Sequence, residues 1–173
     1  MDPETSFREY VAARYVYLTR VAYLLGGDHH AAEDLVQAAL VRLARHWDRV
    51  ARGGDPDAYV RRVLYTQHVS QWRRRWRGVE LHPDPGTRSA NVGADPAGAV
   101  TTGLMVRQAL ARLAPKQRAV LVLRYFEDLT EAATADVLGC SVSTVKSQVR
   151  DGLTRLRAIA PELEDLTRER LCR

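Results

Sequence analysis

Between Gly78 and Val100 runs GVELHPDPGTRSANVGADPAGAV, with prolines at 83, 85 and 96 and glycines at 78, 86, 93 and 98. Backbone breakers at this density deny helix and strand alike a run long enough to form, so the segment reads as a linker. It cuts the 173-residue chain into two blocks, each large enough for a small domain.

Both blocks carry apolar residues at helical intervals. In the first, a helix is predicted over about 7–25 and stops at Gly26-Gly27, where glycine can adopt the left-handed conformation that ends helices. Asp28 is placed to cap a second helix, about 30–47, whose Leu35, Val36, Ala39, Leu43 and Trp47 fall on one face. The turn ARGGDPD leads to a third, about 57–77. The second block predicts helices at about 102–113, 115–125, 131–138 and 142–159, and Pro161 could start a short terminal one. No alternating strand pattern occurs, and at 46% hydrophobic and 27% charged residues the chain can bury a core. The expected fold is all-α: two small helical domains, 1–77 and 102–160, joined by a flexible linker, 78–101, and followed by a tail, 161–173.

The third helix is unusual in its charge. Between Ala58 and Arg77 lie arginines at 61, 62, 73, 74, 75 and 77 and no acid. At 100° per residue one face carries Tyr65, Val69, Trp72 and Trp76 and suits a core. The other aligns Tyr59, Arg62, Thr66, Ser70, Arg73 and Arg77, and mixes arginines with an aromatic ring and small hydroxyls. Arginines can meet phosphates while a ring stacks on an unpaired base, which suits single-stranded DNA. A solvated basic face is the competing reading; the absence of interspersed acids favours nucleic acid.

In the second block, DLTEAATADVLGCSVSTVKSQVRDGLTRLR has the layout of a helix-turn-helix. Thr130 can cap the first helix, Gly139 permits the tight turn, and Ser141 can cap the second. Val142, Val145, Val149, Leu153 and Leu156 form the expected buried seam. Opposite them, Ser143, Ser147, Arg150, Thr154 and Arg157, with Lys146 alongside, make a stripe of the kind that reaches base edges and phosphates from the major groove. A plain helical corner with a polar outer face is the alternative.

A net charge of +5 and a pI near 9.6 fit an anionic partner. Cys140 and Cys172 form no CxxC pair, and His29, His30, His46, His68 and His82 make no metal-ligand pattern with them. Neither a metal nor a cofactor is expected. No phosphate-binding glycine loop, nucleophile elbow or paired-carboxylate motif stands out, so no enzyme is expected. The N-terminus lacks the pattern of a secretory signal, and no apolar run approaches a membrane span. The expected location is the cytoplasm.

Taken in order, AAEDLVQAALVRLARHW, DPDAYVRRVLYTQHVSQWRRRW, ALARLAPKQRAVLVLRYFEDLT and LGCSVSTVKSQV resemble the successive regions of bacterial extracytoplasmic-function sigma factors of actinobacterial style. The resemblance spans nearly the whole chain. It implies a promoter-specificity subunit that brings core RNA polymerase to −35/−10 promoters, contacting the β′ clamp helices and the β flap. It assigns polymerase binding to Asp34, Gln37 and Val41, and the −10 strand to Asp55, Tyr59, Arg62, Thr66, Ser70 and Arg73. The −35 duplex falls to Ser143, Thr144, Lys146, Ser147, Arg150 and Thr154. The segment 51–57 matches the loop that captures a flipped −10 base, the linker would thread near the RNA-exit path, and an anti-sigma factor is an implied partner. Four departures bear on promoter preference: Thr66 stands where many relatives carry Asn, Ala133 replaces a Glu, Ser143 a Gly, and Asp151 lies in a segment usually basic or neutral. The rival reading is a helix-turn-helix regulator that acts without polymerase.

Overall fold

The structure is a computed structural model and describes residues 2–77 and 98–161. The linker, the terminal tail and Cys172 lie largely or wholly outside the described residues. So do the side chains of 72–77, Arg73, Trp72 and Trp76 among them.

Every described element is helical. Helix α1, Pro3–Gly26, begins one turn earlier than the apolar pattern predicts, because Asp2 caps it and Pro3 occupies its first turn. It ends at Gly27, φ 85°, whose N–H returns to the Tyr23 carbonyl. Helix α2, His29–Arg45, starts as expected at Asp28, whose Oδ1 accepts from the Ala31 N–H at 2.8 Å. Leu18, Val21, Ala22 and Leu25 of α1 and Leu35, Val36, Ala39 and Leu43 of α2 are buried in one core.

The predicted turn at 51–57 is mostly a helix. A seven-residue helix α3, Trp47–Gly53, follows a break at His46, and the reversal is confined to Gly54, φ 89°, and Asp55. The cause is burial: Trp47 packs against Phe7 and Tyr10, each with ring centroids 5.3 Å away, and its Nε1 donates to Ser6 Oγ at 2.8 Å. Apolar anchoring by Trp47 and Val50 outweighs the local preference of the glycines. Helix α4, Pro56–Arg77, then crosses α2 and α1.

The second block contains α5 (Gly98–Ala111), α6 (Pro115–Leu121), α7 (Glu131–Leu138) and α8 (Val142–Ile159). Between α6 and α7 the helix widens into a π turn, Val122–Phe126, closed by the Glu127 N–H donating to the Val122 carbonyl at 3.0 Å. Asp128, φ 56°, completes the reversal. Helix α8 approaches α6 closely at buried Gly152, where a Cβ would stand 3.2 Å from Leu121 Cδ1. Val120, Ala135 and Val145 form a small core of their own beneath the α7–α8 corner.

The two blocks pack against each other. Leu110, Leu113, Ala119, Leu121, Val122, Leu123 and Leu153 belong to the same buried cluster as Leu25, Leu64 and Tyr65. Helices α5 and α6 contact α1, and α6 and α7 contact α4.

Candidate nucleic-acid interface

The corner between α7 and α8 is built by local chemistry. Thr130 Oγ1 accepts from the Ala133 N–H at 3.1 Å and Ser141 Oγ from the Thr144 N–H at 3.1 Å. Gly139 takes φ 64°, and the Cys140 N–H closes on the Ala135 carbonyl. Side-chain β-carbons are disfavoured in that left-handed conformation, which is why glycine sits there. Cys140 is half-buried, and burial pushes its thiol pKa up.

This corner fixes which face of α8 is presented. Val145 is fully buried and Leu153 nearly so, with Val149 and Leu156 packed partly against the core. Val142 departs from the expected seam: as the first residue of the helix it is 38% exposed and, among the described residues, packs against neither buried cluster. Ser143, Thr144, Lys146, Arg150 and Thr154 are exposed and Ser147 is half-buried. Ser147 and Thr154 hydroxyls donate back to the Thr144 and Arg150 carbonyls at 2.9 Å, which leaves their oxygens free to accept. Lys146 lies 3.7 Å from Glu131 and Arg150 Nε 3.4 Å from the Asp151 carboxylate. Such exposed pairs are weak and can exchange for phosphate.

On α4, Arg62 is exposed and Tyr59 half-buried, its ring edge-on to His46 at 6.2 Å. Ser70 is half-buried, and the Thr66 hydroxyl donates to its own helix, 2.6 Å from the Arg62 carbonyl. Asp55 is exposed and its Oδ1 accepts from the Ala58 N–H at 2.7 Å, so it caps α4 beside Gly54. Asp57 is bound by the Tyr10 hydroxyl at 2.8 Å and by Arg14, which anchors the start of α4 to α1. Burial, then the Asp57 carboxylate, raise the Tyr10 phenol. A cleft of about 530 Å³ beside α3 is lined by Phe7, His46 and Trp47 with the bases Arg45, Arg49 and Arg52 and the acids Glu4 and Asp48. Sequence reasoning missed it because the start of α1 meets the α2–α3 junction only in three dimensions.

On α2, Asp34 and Gln37 are exposed and Val41 is 52% exposed, opposite the buried face. Steps of three and four residues place them along one side of the helix.

Not every arginine of α4 faces outward. Arg61 Nε donates to Glu127 Oε2 at 2.8 Å, and the Tyr65 hydroxyl donates to Oε1 at 3.4 Å, with Tyr17 close to the same carboxylate. Burial first, and Glu127 second, push both phenols up. Nearby, buried Arg118 of α6 donates to the carbonyls of Leu25, Ala111 and Leu113, the ends of α1 and α5. Three helix-end carbonyls replace a carboxylate as its counter-charge; burial still lowers its pKa to about 10. His68, also buried, hydrogen-bonds the Pro115 carbonyl, and desolvation followed by Arg118 lowers its pKa to about 3. Among the described residues no group of His, Cys, Asp and Glu is close enough to hold a metal, and no helix is long and apolar enough to cross a membrane.

Residues 10–78 match the family model of sigma-70 region 2, and residues 103–156 that of sigma-70 region 4. The chain is 40% identical to an RNA polymerase sigma-E factor of Streptomyces avermitilis, over 87% of this chain and 83% of that one. It is 36% identical to the sigma-E factor of Streptomyces coelicolor, over 98% and 96%. Among solved structures it is similar to the sigma factor RpoE of Bartonella quintana, crystallised with the anti-sigma factor NepR. That likeness has a TM-score of 0.70 and 26% identity, over 90% of this chain and 97% of that one.

Proposed function

Because the chain belongs to the extracytoplasmic-function group of the sigma-70 family, and so is a promoter-specificity subunit of RNA polymerase, we propose that three separate surfaces divide its work. The α2 face of Asp34, Gln37 and Val41 docks on the polymerase β′ clamp helices. An exposed apolar side chain between polar neighbours suits a protein interface. The start of α4, with Asp55, Tyr59, Arg62, Thr66, Ser70 and Arg73, holds the opened −10 strand. There Arg62 meets phosphate and Tyr59 offers a stacking surface. The cleft beside α3, with aromatic walls and a rim of arginines interspersed with Glu4 and Asp48, gives a flipped base somewhere to go. The first turns of α8, through Ser143, Thr144, Lys146, Ser147, Arg150 and Thr154, enter the major groove of the −35 duplex.

The observation that carries this division is that the three sets lie on different helices, each opposite a buried face, with Asp34, Gln37 and Val41 on α2, Arg62 on α4 and Ser143, Thr144, Lys146, Arg150 and Thr154 on α8 exposed. The domains are residues 1–77 and 102–160, with 78–101 linking them, 161–173 as a tail, and the second domain meeting the β flap. Its action is binding energy alone, in the cytoplasm, with no bond made or broken. A relative has been crystallised with an anti-sigma factor; an anti-sigma partner is proposed here on that basis. The test is transcription from a library of genomic promoters with matched core polymerase. Start sites that depend on the added chain support the reading, and their absence overturns it. A regulator acting alone would footprint duplex DNA equally well with and without polymerase.

A further inference from the structure

We propose that Tyr10 is a positioning residue for the −10 strand: its ring and its hydroxyl hold the two ends of the α3–α4 connection, and so set Asp55, Tyr59 and Arg62 in place before DNA arrives. The first half of α1 has no buried residue; those of the helix begin at Leu18. What this half touches is the α3–α4 segment. Ser6, Phe7, Tyr10 and Arg14 follow one another at steps of one, three and four residues, along one side of the helix. Ser6 Oγ accepts from Trp47 Nε1 at 2.8 Å, and the rings of Phe7 and Tyr10 each lie with centroids 5.3 Å from that of Trp47. The Tyr10 hydroxyl donates to Asp57 Oδ1 at 2.8 Å, and Arg14 pairs with Oδ2. One side chain therefore meets Trp47, where α3 starts, and Asp57, in the first turn of α4.

The connection needs holding from outside. Gly54 turns the chain at φ 89°, and among the described residues a Cβ at Gly53 or Gly54 would meet no atom within 4 Å. Packing at the turn itself does not place it. Asp55 caps α4 through the Ala58 N–H at 2.7 Å, which fixes where the helix begins but not where that beginning lies on the domain. Asp57 supplies the second constraint, through bonds to a charged acceptor, the stronger class of hydrogen bond. Burial and the neighbouring carboxylate raise the Tyr10 phenol, so it stays protonated and donates across the neutral range. Glu4 and Phe7 of the same stretch also wall the cleft beside α3. A loop held in its binding geometry has less ordering left to undergo when the ligand arrives, which raises affinity without a new contact. The role in strand capture rests on the function proposed above for α4; the tether does not.

Tyr10→Phe removes the hydroxyl and keeps the ring against Trp47. In the free full-length chain, hydrogen exchange of the backbone amides of 54–60 should quicken by roughly tenfold, with exchange in α8 and helical circular dichroism unchanged. In holoenzyme assembled with matched core polymerase, on a promoter the wild type opens, permanganate reactivity of the −10 strand should fall by roughly tenfold at unchanged closed-complex affinity. A contact that only stabilised the fold would lower both steps together or neither. Asp57→Ala, which deletes the same bond from the other side, should reproduce both effects. Asp57→Asn, whose amide oxygen still accepts from the phenol, should show smaller ones. Unchanged exchange in Tyr10→Phe and Asp57→Ala would remove the tether, and faster exchange with normal opening, or equal losses in both steps, would overturn the positioning role. Tyr59→Ala and Arg62→Ala tell the two failures apart. If they too open normally, the −10 role of α4 has failed; if they are impaired and Tyr10→Phe is not, only the positioning has.

Discussion

The Arg118 guanidinium in α6 donates to the Leu25 carbonyl, the C-terminal end of a helix in the other domain and ninety-three positions away in sequence. The same side chain also reaches Ala111 and Leu113. One planar fork thus closes the end of α5 and ties it to α1.

Lysine has the charge without the fork, so Arg118→Lys should leave carbonyls unpaired. A loss of about 3 kcal/mol in urea denaturation is expected, given about 1.5–3 kcal/mol for a hydrogen bond to a charged group. A loss below roughly 0.5 kcal/mol would show that the carbonyls find other partners.

His68 should make stability depend on acidity. Its pKa is about 3 in the folded chain against 6.5 ordinarily, so the unfolded state binds the extra proton between those values. Stability is then complete above pH 6.5 and falls as the pH drops towards about 3. Between pH 6 and 5 the slope should approach about 1.4 kcal/mol per pH unit. His68→Phe should flatten it, and an unchanged slope would exclude His68 as the source.

Removing the Ser141 hydroxyl takes away the acceptor for the Thr144 N–H. Ser141→Ala should cost about 1 kcal/mol in thermal or urea unfolding. A matching loss of −35 affinity is expected, because the first turn of α8 frays.

Arg150→Ala and Val41→Asp should separate two activities. Arg150→Ala should weaken −35 duplex binding by roughly tenfold, about 1.4 kcal/mol, while leaving polymerase affinity unchanged. Val41→Asp should weaken polymerase affinity by a similar factor of roughly ten and leave duplex binding intact. Fluorescence anisotropy against each partner measures both, and a variant that lowers the two affinities together would contradict the division.

Tyr59→Ala and Arg62→Ala should act later than either. Permanganate footprinting should show impaired strand opening with closed-complex binding close to wild type. Equal losses in both steps would place α4 in duplex recognition instead.

Legibility in the sequence followed the range of the forces involved. Helix α7 begins and ends, and α8 begins, where Thr130, Gly139 and Ser141 predict, because caps and a left-handed glycine act within a few residues. The outward set on α2 was readable too, since Leu35, Val36, Ala39 and Leu43 mark the opposite face. Helix α3 was not readable: residues 51–53 look like a turn until Trp47 is seen packed on Phe7 and Tyr10, forty and thirty-seven positions earlier. Arg61 belongs to an acid-free arginine run, and its partner Glu127 lies sixty-six residues away. No periodicity could have joined them, and the same holds for His68 with Pro115.

The π turn at Val122–Phe126 sets a phase. It adds a residue to the count of a helix that advances about 100° per step. Everything after it, Glu127 and the α7–α8 corner included, is rotated about the α6 axis relative to a regular continuation. Deleting one residue there would keep every side chain named for DNA and every cap that holds them. It would nevertheless aim the corner in another direction and swing Glu127 away from Arg61. How the two domains face each other is thus encoded in a single irregularity of winding, independent of the residues proposed to do the reading.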